Sequence, residues 1–151
     1  MEEQERKFIS ETVHRLYWDH DINCARTMLS CLGVLLDTPI EEQTMLSAIG
    51  MHGAGGFGAQ CGLVEGALMF IGIYGAEQGH DDKLIASCCF DFAKVFTAKF
   101  GALRCCELRP GGFTDHDPPH LCEELTNETI VFTTEYLRAA AETGTKKLPV
   151  E

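Results

Sequence analysis

Eight cysteines, at positions 24, 31, 61, 88, 89, 105, 106 and 122, are the residues of this 151-residue chain best suited to chemistry. A thiolate is a nucleophile, a soft metal ligand and half of a disulfide, so these residues point to redox or metal–sulfur chemistry. The opening segment MEEQERK is largely charged and lacks the apolar stretch of a secretory signal. The expected location is therefore the cytoplasm, where thiols stay reduced and a disulfide scaffold is not expected.

Position sorts the eight. Cys24 and Cys31 share a helix face but stand roughly 10 Å apart along its axis, too far for a disulfide. Cys31 reads as core. Cys24 begins a predicted helix, and Cys61 begins another directly after a glycine loop; at such a start, free N–H groups and the helix dipole stabilise a thiolate. Cys88 and Cys89 are adjacent on one helix and read as structural. Cys105 and Cys106 lie in an irregular segment, and Cys122 follows a proline-rich loop. The candidate set is thus Cys24, Cys61, Cys105 and Cys122, with Cys106 as the alternate to Cys105.

The spacing of these four matches neither zinc fingers nor bacterial ferredoxins, so any metal site must be assembled from distant helices. No C-x-x-C-H is present, which excludes covalent haem of the usual kind. Gly53-Ala-Gly-Gly-Phe-Gly58 satisfies G-x-G-x-x-G, but a helix precedes it instead of a strand, so no nucleotide site is expected. Its better use is to bring the backbone N–H groups of Gly55, Gly56 and Gly58 close to a sulfur or anion beside Cys61. Glu65, one turn after Cys61, is a candidate proton donor, with a partner cation or an interface as the structural alternative. His52, His116 and His120 are secondary candidate ligands.

These residues need elements to hold them. Apolar residues recur at helical spacing over Glu5 to Trp18, then from about Asn23 to Asp37, where Asn23 or Asp21 can cap and Pro39 stops the helix. A short helix follows from Glu41 to Ile49, then the glycine loop. Cys61 to Tyr74 is predicted as a central buried helix, with Gly62 and Gly66 leaving one side bare for close helix contact. Ile85, Cys89, Phe92, Phe96 and Phe100 form a helical stripe ending at Gly101, a natural C-terminal cap. Leu103 to Pro119 is predicted as an irregular Cys- and Pro-containing connection, and a last helix runs from about His120 to Ala141. The prediction is an all-α, single-domain bundle of about six helices spanning residues 1–151, with no alternating strand pattern.

The net charge of −11 disfavours nucleic acid, and Gln60 and Glu65 within the most apolar stretch disfavour membrane insertion. The bare glycines and apolar helix faces permit a helix-packed homodimer. Nothing in the sequence names a redox partner protein or decides whether the chain is an enzyme.

Several of these residues resemble the C-GCAxxG-C-C family of redox-active proteins: Asn23-Cys24-Ala25, the glycine loop leading to Cys61-Gly62-Leu63-Val64-Glu65-Gly66, Phe100-Gly101 with Cys105-Cys106-Glu107-Leu108, and Cys122. The resemblance implies a redox role for four cysteines. A similar module accompanies split-Soret cytochromes beside an iron–sulfur site, which implies an electron-transfer protein with a cluster of 2Fe–2S type on Cys24, Cys61, Cys105 and Cys122. The alternatives are a thiol–disulfide protein in which Cys61, its pKa lowered, attacks and a second cysteine resolves, and a zinc-stabilised structural or interaction protein.

Overall fold

A computed structural model describes residues 1–111, 117 and 120–142. Among them are eight helices and no sheet: α1 (Glu3–Trp18), α2 (Cys24–Leu35), α3 (Glu42–Ser47), α4 (Gly53–Gly56), α5 (Gly62–Glu77), α6 (Asp82–Phe100), α7 (Cys105–Leu108) and α8 (Glu123–Glu142). Five are long, and the all-helical class predicted from periodicity holds. The two additional elements are single turns, one inside the glycine loop and one inside the connection predicted to be irregular. Such turns carry too few residues to show a period. His116, Pro118 and Pro119 lie outside the described residues.

The most extensive helix packing is α2 against α5, and glycine allows it. A Cβ at Gly66 would come within 2.6 Å of the Ala25 carbonyl oxygen and 2.9 Å of Met28 Cβ. One at Gly62 would collide with Cys24 Sγ and the Met51 carbonyl oxygen. The bare face expected on this helix therefore exists, but α2 of the same chain covers it. It is not available to a second copy, which removes that route to a homodimer.

Around this pair, α1 and α8 lie against each other through buried Ile9, Val13, Tyr17, Thr126, Ile130 and Leu137. Buried threonines on α8 satisfy their hydroxyls within the helix; Thr133 and Thr134 donate to the carbonyls of Thr129 and Ile130 at 2.7 and 2.8 Å. Helix α6 begins at Asp81, whose side chain accepts the Leu84 N–H at 2.8 Å. It ends at Gly101, left-handed at φ 90°. Its predicted stripe is real where it matters: Phe92 and Phe96 are fully buried, and Phe100 meets Phe132 of α8 edge-on at 5.4 Å. None of the described helices is long and apolar enough to cross a membrane.

Candidate functional site

Each of the four candidate cysteines stands at the start of a helix. Cys24 is the first residue of α2 and Cys105 the first of α7, while Cys61 is the N-cap of α5. Cys122 immediately precedes α8, and its carbonyl accepts the Thr126 N–H at 2.8 Å.

Local bonds fix these starts. Asn23 Oδ1 accepts the Arg26 N–H at 3.0 Å and caps α2, while its Nδ2 donates to the carbonyls of Ala48 and Ile49 at 2.9 and 2.6 Å. The residue that begins the helix of Cys24 thus also ties it to the chain entering the glycine loop. That loop is joined to the α7 turn by an antiparallel bridge, Gln60 with Arg104. Cys61 N–H donates to the Leu103 carbonyl at 2.8 Å, and Cys105 N–H to the Ala59 carbonyl at 2.7 Å. Gly53, at φ 69°, closes the contact; a Cβ there would meet Cys105 Cβ at 2.9 Å.

The result brings Cys61 and Cys105 side by side, near enough for an S–H···S hydrogen bond to shift both thiols. Holding the proton on Cys61 and burying it push that thiol far up. The same bond, against a smaller cost of burial and with help from Arg109, holds the Cys105 thiol below its usual value. This reverses the expectation of a lowered pKa at Cys61. The Leu63 N–H does pull the Cys61 thiol down, but the bond to Cys105 and burial outweigh it.

Burial and neighbouring charge act on the other two thiols as well. Burial pushes the Cys24 thiol up to about 12, and charge on Cys105 or Cys122 pushes it further the same way. Cys122 is raised by burial and by Cys105, against the pull of the Arg109 guanidinium. Arg109, ion-paired to Asp117 at 3.2 Å, therefore acts on both Cys105 and Cys122. The sequence reading missed it, although it follows Cys105 by one helical turn and its N–H bonds the Cys105 carbonyl at 2.9 Å. Tyr17, also missed, lies near Cys24, Cys122 and Cys61.

The remaining candidates fall elsewhere. Cys106 is exposed, so Cys105 is the member of that pair turned to the interior. Cys31 is fully buried core, and Cys88 and Cys89 are half-buried on α6. The N–H groups of Gly55, Gly56 and Gly58, expected to approach a sulfur, are spent within the loop on the carbonyls of Gly50, His52 and Gly53 at 2.9 to 3.0 Å. The loop folds on itself and leaves those donors no free bond. Glu65 is half-exposed in the first turn of α5, where the helix dipole favours a carboxylate, so it carries no burial cost that would demand a catalytic explanation. His52 is engaged by Asn23 at 3.4 Å, and His120 packs between Tyr17 and Trp18. Among the described residues, no three His, Cys, Asp or Glu side chains come together closely enough to hold a metal ion.

A helical domain that gathers cysteines at helix starts, with two thiols in contact, belongs to the class of cysteine-centred redox proteins. Residues 22–136 match the family described as "Putative redox-active protein (C_GCAxxG_C_C)", and the chain belongs to it. No curated protein and no solved structure matches the chain.

Proposed function

We propose that this protein is a dithiol–disulfide electron carrier whose working pair is Cys105 and Cys61. The observation that supports it is the backbone pairing that sets Cys61 and Cys105 side by side, since disulfide formation requires two neighbouring thiols. Cys105, at the edge of the surface, attacks one sulfur of a partner's disulfide, and that S–S bond breaks. The partner's leaving thiolate takes up a proton. Cys61 then loses its proton and attacks the Cys105 sulfur, releasing the partner's second thiolate. Two thiols here become one disulfide while the partner's disulfide becomes two thiols. The attacking role passes from Cys61, where the sequence put it, to Cys105.

A second reading rests on a different observation: four sulfurs, all at helix starts, act on one another electrostatically. Cysteine thiolates are the ligands iron–sulfur clusters use, so a 2Fe–2S cluster would take Cys24, Cys61, Cys105 and Cys122, whose sulfurs would first have to draw closer together. Bound there, a cluster would supply one-electron transfer. Zinc would fit the same donors.

The test is iron, sulfide and zinc analysis with a visible spectrum on protein purified without oxygen, followed by thiol counting across a series of redox buffers. The carrier reading expects little metal and a two-electron couple that yields a Cys61–Cys105 disulfide peptide. Stoichiometric iron and sulfide, with absorbance lost in Cys24→Ser and Cys122→Ser, replaces it with the cluster reading. Neither a disulfide nor a metal overturns both.

A further inference from the structure

Phe57 is 86% exposed at the end of the glycine loop, whereas Phe70, Phe92 and Phe96 are fully buried. A single exposed apolar residue is ordinary on a protein surface, so exposure alone assigns Phe57 no role. The backbone beneath it is what singles it out. Gly53, Ala54, Gly55 and Gly56 follow one another at φ 69°, 55°, 68° and 89°, a left-handed turn that includes one residue with a side chain. Such a turn costs free energy at Ala54 and persists only where surrounding bonds hold it. Here Gly58 N–H donates to the Gly53 carbonyl at 3.0 Å, and Phe57 N–H to the Ala54 carbonyl at 3.4 Å.

The same loop carries Cys105. The Ala59 carbonyl accepts the Cys105 N–H at 2.7 Å, the Gly58 carbonyl accepts the Cys106 N–H at 3.3 Å, and a Cβ at Gly53 would lie 3.2 Å from Cys105 Sγ. One residue and one hydrogen bond therefore separate Phe57 from Cys106, a Cα–Cα span of at most about 11 Å. Cys105 itself is recessed, only 9% exposed. A protein that presents a disulfide to it covers about 800 Å² of surface, a patch of about 16 Å radius, and so reaches Phe57.

We infer that Phe57 is the specificity-determining residue of this exchange: its ring docks on apolar residues flanking a partner protein's disulfide and brings that disulfide to Cys105. Covering the ring is favourable only where the covering surface is itself apolar, and this fixes the chemistry of the partner. In the exchange, a bond forms between Cys105 Sγ and one partner sulfur, the partner's S–S bond breaks, and its other sulfur leaves as a thiolate that takes up a proton. The inference rests on the dithiol–disulfide reading above.

The experiment measures how fast the reduced full chain opens three disulfides: a short cyclic peptide with Leu and Val beside its cysteines, the same peptide with Ser and Gly there, and oxidised glutathione. Wild type should open the apolar peptide about tenfold faster than the polar one. Phe57→Ala should remove that preference and leave the polar-peptide and glutathione rates unchanged, while Phe57→Leu should keep most of it. Phe90→Ala, which removes another open ring, 71% exposed on α6, should alter none of the rates. Equal wild-type rates on the two peptides, or a loss in Phe57→Ala that glutathione shares, overturns the inference and leaves the dithiol–disulfide reading standing. A wild-type chain that opens none of the three overturns that reading and the inference with it.

Discussion

Gln60 pairs with Arg104 as an antiparallel bridge, and the next residue on each side is a cysteine of the central contact, Cys61 or Cys105. Because the pairing is made by backbone N–H and carbonyl groups, side chains at 60 and 104 can vary while the two sulfurs stay together. What the pairing does not tolerate is bulk from behind, where Gly53 backs onto Cys105.

That makes Gly53→Ala informative beside Gly55→Ala. Both glycines have positive φ, 69° and 68°, so alanine at either carries a similar backbone strain of about 1 kcal/mol. Only at 53 does the new Cβ meet Cys105, while at 55 nothing lies within 4 Å. Dithiol–disulfide exchange should fall about tenfold in Gly53→Ala, the cost of a displacement worth about 1.4 kcal/mol, and stay near wild type in Gly55→Ala. Equal rates in the two variants would show that the loop does not position Cys105.

The α2–α5 contact predicts a change of sign between two other glycines. Gly66→Ala forces a Cβ to 2.6 Å from the Ala25 carbonyl oxygen and should destabilise by about 1–3 kcal/mol through overpacking. Gly72→Ala, in the same helix with open space at its Cβ, should stabilise by up to about 1 kcal/mol through helix propensity. Urea unfolding of both variants checks the pair. Destabilisation by both would mean that α5 is less tightly specified than its packing indicates.

The difference between these regions also explains what could be read in the sequence. The Phe92–Phe96 stripe, the Gly101 cap and the Asn23 cap are local, written in spacings of three or four residues, and each is found where periodicity puts it. The placement of Cys24 and Cys61 at helix starts is local as well. The contact of Cys61 with Cys105 is not, because it depends on a bridge between residues 44 apart that has no strand pattern around it. The distribution of acidity between the two thiols depends in turn on that contact and on unequal burial. A helix-start argument alone therefore expects a lowered pKa at Cys61, where burial and the neighbouring Cys105 raise it. Tyr17 was hidden for the opposite reason: on α1 it is simply one more apolar-face residue, and only the fold brings Thr126 and the cysteines to it.

Cys31 separates packing from chemistry. It is fully buried on α2, and burial alone accounts for a thiol pushed up to about 12. Cys31→Ala should cost about 1–2 kcal/mol of stability from the lost contacts and leave the redox couple intact. Cys61→Ser and Cys105→Ser should each abolish the couple. Measuring potential and unfolding midpoint on the three variants tests both halves, and loss of the couple in Cys31→Ala would extend the centre beyond the four helix-start cysteines.

Glu5 and Arg138 predict the acid limb of stability. Arg138 donates to the Glu5 carboxylate at 2.7 and 3.1 Å, and this bond, opposed by some burial, holds the carboxyl below its usual pKa. A carboxyl depressed in the folded state contributes stability that is fully present above its unfolded pKa of about 4.3 and is lost as pH falls through the lower folded value. Glu5 is half-buried at the surface and its pair is screened by solvent, so the contribution is at most about 1 kcal/mol. Glu5→Gln should therefore lower stability at neutral pH by up to that amount and flatten its decline below about pH 5. Added salt should shrink the difference between the two proteins. Parallel acid limbs for wild type and Glu5→Gln in urea titrations across this range would show that the pair adds nothing to the docking of α8 on α1.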